Sequence, residues 1–491
     1  MQEEQGIEPP SGSENPSYDF IVVANRLPVH RFEGENGELL WRRSPGGLVT
    51  AIAPVMQASD GAWVGWHGAT NEVLEPFENE RIHLVPVPLD DEDLEMYYEG
   101  FSNSTIWPLY HDVIVPPEFH RTWWDNYKKV NKRFADATAA VASEGATVWV
   151  QDYQLQLVPK LLREARPDLR IGFFNHIPFP SPGIFSQLPW RKQILEGLAG
   201  ADVVGFQRTA DASNFLRSMR RYTDRTVKGS LAIPPASPEA SGSSPNICRA
   251  EAHPISIDTQ YVADLAHDPE IVARAKQIRQ ELGNPKTILL GVDRLDYTKG
   301  IRHRLKAYGE LLAEGSVTVG EACLVQVASP SRENVERYQQ LKDQVELMVG
   351  NLNGEHDTME HTAIRYLHHS YPMREMIALY LAADIMLVTS LRDGMNLVAK
   401  EFVAAHTDDT GMLVLSEFTG AADQLTQSVL VNPHDIDGMK SGILRALRMD
   451  PQDASRRMRR MRRHLREHDV ANWSQTFLAS LGQPLPVDVL V

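Results

Sequence analysis

Thr389-Ser-Leu-Arg-Asp393-Gly394-Met395-Asn396-Leu397-Val398-Ala-Lys400-Glu401 follows the apolar run Ile385-Met-Leu-Val388 and leads into Phe402-Val-Ala-Ala-His406. An uninterrupted apolar run of this length reads as a buried parallel strand, and the residues after it read as a turn and then a helix. The first amides of such a helix have no intrahelical partner and carry its positive dipole end. Gly394 to Val398 are therefore expected to offer a cradle of N–H groups to an anionic or hydroxyl-rich ligand. Asp393 can cap the helix or accept from a sugar hydroxyl. Glu401 is placed where a carboxylate can take both hydroxyls of a ribose. Any strand-to-helix turn can carry Asp-Gly, so the weight of this reading depends on the rest of the chain.

Working outward, the same alternation recurs on both sides. In the second half, strands are expected at 287–292, 323–327, 364–367 and 412–416, with helices at 271–282, 332–348 and 373–382. The strand at 287–292 ends in Asp293-Arg294-Leu-Asp296-Tyr-Thr-Lys299-Gly300, where a guanidinium and an ammonium flank a turn and can neutralise a pyrophosphate. In the first half, strands are expected at 18–24, 62–66, 82–85, 147–150, 169–174 and 202–206. Two of these deliver Asp152 and His176 at their C-terminal ends, the edge where open α/β sheets bind ligands. Ser44-Pro-Gly46-Gly47 opens a helix where backbone can approach a phosphate closely, although on these residues alone a simple tight turn is the favoured reading, because no GxGxxG or Walker signature is present. Tyr97, Tyr98, Trp107 and Tyr110 form an aromatic cluster that suits sugar faces or a core corner. The acidic run Asp90-Asp-Glu-Asp93 reads as a solvated loop.

At 491 residues the chain is too long for one core, so two domains with a cleft between them are expected. The boundaries read as a disordered leader over 1–17, a first domain over 18–257 with a mobile loop at 234–246, a second over 258–465, and a C-terminal helix over 466–491 that packs across them. The fold class is α/β, two doubly wound parallel sheets facing a cleft. A net charge of −16 argues against a nucleic-acid groove, which needs clustered Lys and Arg. It also means that anionic substrates need local cations. Two cysteines, Cys248 and Cys323, make no disulfide framework or Cys-rich metal site. No signal peptide or membrane span is read, and a cytoplasmic enzyme is expected.

Asn25-Arg26, Ser44 to Gly47, Tyr98 to Asn103, Trp107-Pro108, Gln151-Asp152-Tyr153, His176 to Pro180, Asp293 to Gly300, Pro330-Ser-Arg332 and Asp393 to Glu401 occur in the order found in trehalose-6-phosphate synthases, a family this chain resembles over about 18–485. The resemblance implies the GT-B glycosyltransferase fold, and transfer of glucose from a UDP-, GDP- or ADP-linked donor to glucose 6-phosphate with retention. By motif, it implies that Arg294 and Lys299 hold the diphosphate with Gly46 and Gly47. Glu401 would hold the ribose, and Asp393, Gly394, Met395, Asn396, Leu397 and Val398 the rest of the donor, with Tyr371 at the base. Arg26, Tyr98 and Arg332 would hold the acceptor phosphate, while Trp107, Asp152 and His176 surround the reacting sugars. It implies neither cofactor nor metal, no membrane, a possible dimer or tetramer, and a separate phosphatase downstream. Rival readings are a related synthase with another acceptor, such as glycerol 3-phosphate or a pseudo-sugar, and a non-catalytic sugar-phosphate sensor. A nicotinamide dehydrogenase lacks its GxGxxG here.

Overall fold

The protein is described from a computed structural model that covers residues 17–33, 39–44, 49, 52, 56, 59, 61–235 and 246–482. The expected leader and most of the 234–246 loop lie outside these residues. Among the described residues the first half holds twelve strands: β1 (Tyr18–Arg26), β2 (Val29–Glu33), β3 (Leu39–Arg43), β4 (Ala62–Trp66), β5 (Phe77–Asn79), β6 (Ile82–Pro86), β7 (Ala142–Gln151), β8 (Arg170–Asn175), β9 (Val203–Phe206), β10 (Thr226–Lys228), β11 (Leu231–Ile233) and β12 (Cys248–Ala252). Ten of them form one sheet in the order β10-β11-β12-β9-β8-β7-β1-β4-β6-β5, parallel from β12 to β6 with antiparallel edges; β2 and β3 form a separate hairpin. The second half holds β13 (Thr287–Arg294), β14 (Ala322–Ser329), β15 (Ile364–Leu367), β16 (Ile385–Val388), β17 (Met412–Ser416) and β18 (Val429–Val431). These six lie all parallel in the order β15-β14-β13-β16-β17-β18.

The central strands carry no polar alternation because both faces are covered. All four residues of β16 and all five of β4 and β17 are buried. Among the parallel strands, chain order reverses at one place in each sheet, between β1 and β7 in the first and between β13 and β16 in the second. At such a switch the crossovers on either side diverge and leave a crevice at the strand carboxyl ends. Arg26 and Asp152 stand at the first of these, and Arg294 and Asp393 at the second.

The helix Val470–Gly482 returns to the first sheet. Trp473 and Phe477 lie against Trp149, with ring centroids 5.0 and 4.7 Å away, and Phe477 sits where a Cβ on Gly172 or Gly205 would be 2.7–2.8 Å from its ring. The two chain segments that pass between the halves are joined where Val470 N–H donates to the Ile257 carbonyl at 3.0 Å. Among the described residues, no helix is long and apolar enough to cross a membrane, and Cys248 and Cys323 are free and buried.

The acidic run at 90–93 is not a solvated loop. Asp90 and Asp93 form a reciprocal helix cap, and the Asp93 side chain is buried with Arg133 Nη1 at 2.7 Å and Asn126 Nδ2 at 3.1 Å. Burial made that carboxylate need a partner, and the partners come from the distant helix Arg121–Val141.

A second buried charge links the strand ends. Arg304 has 0% exposure and donates to Asp293 Oδ2 and Gln326 Oε1, both at 2.7 Å, and to Thr389 Oγ1 at 3.1 Å. It thus ties β13, β14 and the first residue after β16 together. Arg304→Met should destabilise the second half by about 3–5 kcal/mol, because Asp293 is left buried without its counter-charge. Urea denaturation checks this, and a change below about 1 kcal/mol would remove the structural role.

Candidate active site

The loop after β16 differs in one detail from expectation. Asn396, not Asp393, caps the helix Leu397–Ala405: its side chain accepts from Ala399 N–H at 3.0 Å, with its own backbone at φ 87°. Asp393 is used otherwise. It accepts from Lys299 Nζ at 2.7 Å, from Asn396 Nδ2 at 3.2 Å and from Ser390 Oγ at 3.3 Å. Burial raises its pKa, but Lys299 and Asn396 outweigh that and hold it below the ordinary carboxylate value. Met395 is buried, while Leu397, Val398 and Glu401 are partly exposed. The Glu401 carboxylate accepts from the Tyr380 hydroxyl at 2.7 Å, and burial raises its pKa.

At Gly394 the backbones of the two halves touch. A Cβ there would sit 2.1 Å from the His176 carbonyl oxygen, and one on Gly420 would sit 2.0 Å from the Gly394 oxygen. Three backbones are therefore stacked without room for a side chain between them. Ion pairs bracket the contact. Arg392 reaches Asp112 at 3.2 Å and Asp211 at 3.5 Å, and Arg208 makes two 2.7 Å bonds to Asp423.

Cations gather on Trp107. The Arg332 guanidinium lies 4.0 Å from its ring centroid and that of Arg294 lies 5.3 Å away, so the second half supplies two cations to one indole of the first. Arg332 was expected to open a helix. It instead sits in a loop at φ 51°, three residues short of Val335, the cap of the helix Glu336–His356. The turn aims it across the cleft at Tyr153, whose hydroxyl accepts from Nη2 at 3.1 Å; it also meets Asp296 at 3.4 Å and the Tyr338 hydroxyl. Burial opposes its charge, but Tyr153, Tyr338 and Asp296 outweigh burial and keep it protonated. Asp296 stays ionised as well: burial alone would raise its pKa, yet Arg332, Arg294 and Lys299 bring it to about 2. Arg294 is exposed and has no hydrogen bond or ion pair among the described residues. The Trp107 indole N–H is buried without an acceptor among the described residues, a cost that a ligand oxygen would remove.

On the first half, Arg26 lies 4.7 Å from the Trp66 ring centroid, and Tyr98 packs on the same indole at 6.4 Å. Burial lowers the Arg26 pKa although the residue is solvent-exposed, the combination expected of a cation lining a cleft. Asp152 adopts φ 71°, ψ 171°, a sparsely populated conformation for a side-chain residue, and accepts from His176 N–H at 3.1 Å. Burial raises its pKa to about 7, against the pull of the His176 and Tyr153 amides and of Arg294 and Arg332. Burial lowers His176 to about 3, so its ring is neutral.

The sign of the Asp152 shift gives a test. Between its ordinary value of 3.8 and about 7, the folded chain holds a proton that the unfolded chain has released. Stability from this group therefore falls as pH rises through that window, and the penalty is complete above it. Asp152→Asn keeps the acceptor for His176 N–H and removes the charge. Its Tm should exceed that of the wild type at pH 8, with the gap closing toward pH 4. A gap that does not change with pH would remove the assignment.

The predicted residues thus meet in three groups: Lys299 with Asp393; Arg294, Arg332 and Trp107 with Asp152 near; and Arg26 with Tyr98. Tyr371 joins none of them. Its ring lies 4.3 Å from His369, and its charged neighbours are Glu375 and Arg274. Gly46 and Gly47 lie outside the described residues. His111 was not anticipated. It is buried, packs on Trp107 with ring centroids 4.2 Å apart and planes tilted by 33°, and feels the charges of Asp296, Lys299 and Asp393. Its Nδ1 donates to the Trp107 carbonyl at 2.7 Å, and burial holds its pKa at about 4. The one signal was its spacing of four from Trp107, which puts both on one side of a helical turn.

The sequence matches the profile of glycosyltransferase family 20 over residues 18–483. It is 53% identical over 485 residues to the trehalose-6-phosphate synthase of Mycobacterium avium, covering 97% of this chain and 98% of that one. A solved E. coli structure with UDP-2-fluoro glucose bound superposes with a TM-score of 0.85 at 33% identity, covering 95% of this chain and 99% of that one. An α,α-trehalose-phosphate synthase (UDP-forming) from Burkholderia xenovorans, solved with glucose 6-phosphate, superposes with a TM-score of 0.85 at 31% identity, covering 94% and 100%.

Proposed function

Since the chain belongs to glycosyltransferase family 20 and is an enzyme of the trehalose-6-phosphate synthase type, we propose that it transfers glucose from UDP-glucose to glucose 6-phosphate with retention at the donor carbon. One observation carries the reading to the residues: Arg294, a cation without an anionic partner among the described residues, stands at the switch point of the second sheet in a chain of net charge −16. There it would bind the donor diphosphate, with Lys299 beside it. The choice of uridine rests on the two solved relatives, one holding UDP-2-fluoro glucose and the other described as UDP-forming.

On this reading residues 18–257 bind the acceptor and 258–465 the donor, with the helix Val470–Gly482 packing across them. Arg26, Tyr98 and Arg332 take the acceptor phosphate. Asp393, Gly394, Met395 and Asn396 hold the donor sugar, Leu397 and Val398 the diphosphate, and Glu401 the ribose. Asp152 and the Trp107 N–H face the reacting sugars. The anomeric hydroxyl of the acceptor bonds to the donor anomeric carbon as the bond from that carbon to the diphosphate oxygen breaks. The hydroxyl proton passes to the departing phosphate oxygen on the same face. No protein nucleophile is required, and rate enhancement comes from alignment and from cations on the leaving group. The product keeps its phosphate, so a separate phosphatase would act next. A cytoplasmic dimer or tetramer belongs to the same reading, and light scattering gives the number of chains.

Incubation with glucose 6-phosphate and UDP-, GDP- or ADP-glucose, read by mass spectrometry and NMR, tests the proposal. An α,α-linked disaccharide phosphate formed fastest from UDP-glucose is expected. No product from any donor would overturn it, and a faster rate with GDP- or ADP-glucose would overturn the uridine assignment alone.

A further inference from the structure

Ile255 is buried in the segment between β12 and the helix Thr259–His267, and side chains from both halves hold its peptide groups. Its N–H donates to Gln207 Oε1 at 2.9 Å, and its carbonyl accepts from Lys400 Nζ at 2.5 Å. Gln207 directly follows β9 of the first sheet. Lys400 lies on the helix Leu397–Ala405 of the second half, beside Glu401, and its other bond goes to Gln424 Oε1 at 2.6 Å. Both side chains are buried, so water does not compete for these bonds.

The Ile255 bond fixes more than the Gln207 rotamer. A backbone N–H can only donate, so the Gln207 atom facing it is the oxygen and the opposite end is the NH2. That NH2 lies 3.5 Å from His176 Nδ1, at the outer limit of a hydrogen bond, and presents a donor to it, which favours Nδ1 as the acceptor. The ring proton therefore resides on Nε2, 2.9 Å from Gln151 Oε1, an acceptor correctly placed to receive it. One peptide between the sheets thus determines the direction of three successive hydrogen bonds and the tautomer of a histidine at the cleft edge.

We propose that Gln207 is a positioning residue for the transfer reaction: it holds the His176 ring as the Nε2–H tautomer and ties that ring to the interdomain segment at Ile255, with Lys400 gripping the carbonyl of the same residue from the donor side. This rests on the reading of His176 as lining the reacting sugars. A shift of the interdomain segment that draws Ile255 from Gln207 releases the constraint on the ring. The arrangement of His176 and the orientation of the two halves are therefore one mechanical unit.

Nitrogen-15 NMR of histidine-labelled protein tests this, with the His176 signals assigned by their loss in His176→Gln. The wild type should show the Nε2–H pattern, and the Nδ1–H pattern would overturn the proposal without any variant. Gln207→Glu presents a carboxylate in place of the NH2 and should move the proton to Nδ1, with kcat falling about tenfold or more, as loss of a partner that orients a histidine does. An unchanged tautomer in this variant overturns the proposal. A shifted tautomer with unchanged kcat overturns it through its premise, by removing His176 from the reaction while leaving the diphosphate-binding assignment intact.

Discussion

Gly394→Ala is expected to lower kcat on the order of a hundredfold or more while both sheets remain folded. The new methyl group would sit 2.1 Å from the His176 carbonyl oxygen, and both partners are backbone. No rotamer change relieves such a clash, so the loop after β16 must withdraw from the first half. The obstacle is doubled because the Gly394 carbonyl itself lies against Gly420, where a Cβ would be 2.0 Å away. Withdrawal carries Asp393 with it, and Lys299 with Asp393 through their 2.7 Å bond. Displacement of the diphosphate and sugar contacts by about 1 Å is enough for a loss of this size. Circular dichroism should match the wild type, whereas Arg392 and Asp112 lose their 3.2 Å contact. Steady-state kinetics decide the matter: a kcat within about threefold of the wild type would mean that the halves need not approach this closely for transfer.

Arg294→Ala is expected to reduce turnover from the nucleotide donor by about a hundred- to a thousandfold, the scale on which a positioned donor to a developing anion acts. Lys299 cannot make up the lost charge, because on the proposed reading it already serves the same diphosphate while paired with Asp393, and Arg332 is occupied by Asp296, Tyr153 and Tyr338. Removing the unpaired cation also leaves the charges of Asp152 and Asp296 less compensated, since Arg294 contributes to lowering both of their pKa values. Affinity for glucose 6-phosphate should change little, which separates a diphosphate role from a general electrostatic one. Donor affinity and turnover that both remained at wild-type values would sink the assignment.

The alternating plan was legible because buried parallel strands need continuous apolar runs, as at Ile385 to Val388, and because the residues next in sequence are exposed at their carboxyl ends. Arg26, Asp152, Arg294 and Asp393 were placed at strand carboxyl ends in that way. The hairpin β2–β3 was missed, although its two runs flank Gly34-Glu-Asn36-Gly37, a turn signal that reading by helix period passes over. Asp93 was misread because a run of four acids reads as solvated until a distant arginine is placed on it. Arg332 was placed on a helix that begins four residues later. Gln207, Arg392 and Lys400 could not be selected from sequence at all: Lys400 meets Ile255 across 145 positions and Gln207 meets it across 48. Nothing local to a glutamine or a lysine announces a partner that far away.

The return of the helix Val470–Gly482 to the first sheet also bears on the order in which the protein can be completed during translation. β7, β8 and β9 leave the ribosome more than two hundred residues before Trp473 and Phe477 do. Until those two arrive, the indole of Trp149, the ring of Phe174 and the strips at Gly172 and Gly205 have no cover of their own. The second sheet is synthesised in that interval, with its all-parallel core already encoded in full. The half that emerges first is thus the half whose core closes last, and through that interval its uncovered aromatic face is open to chaperones and to neighbouring nascent chains.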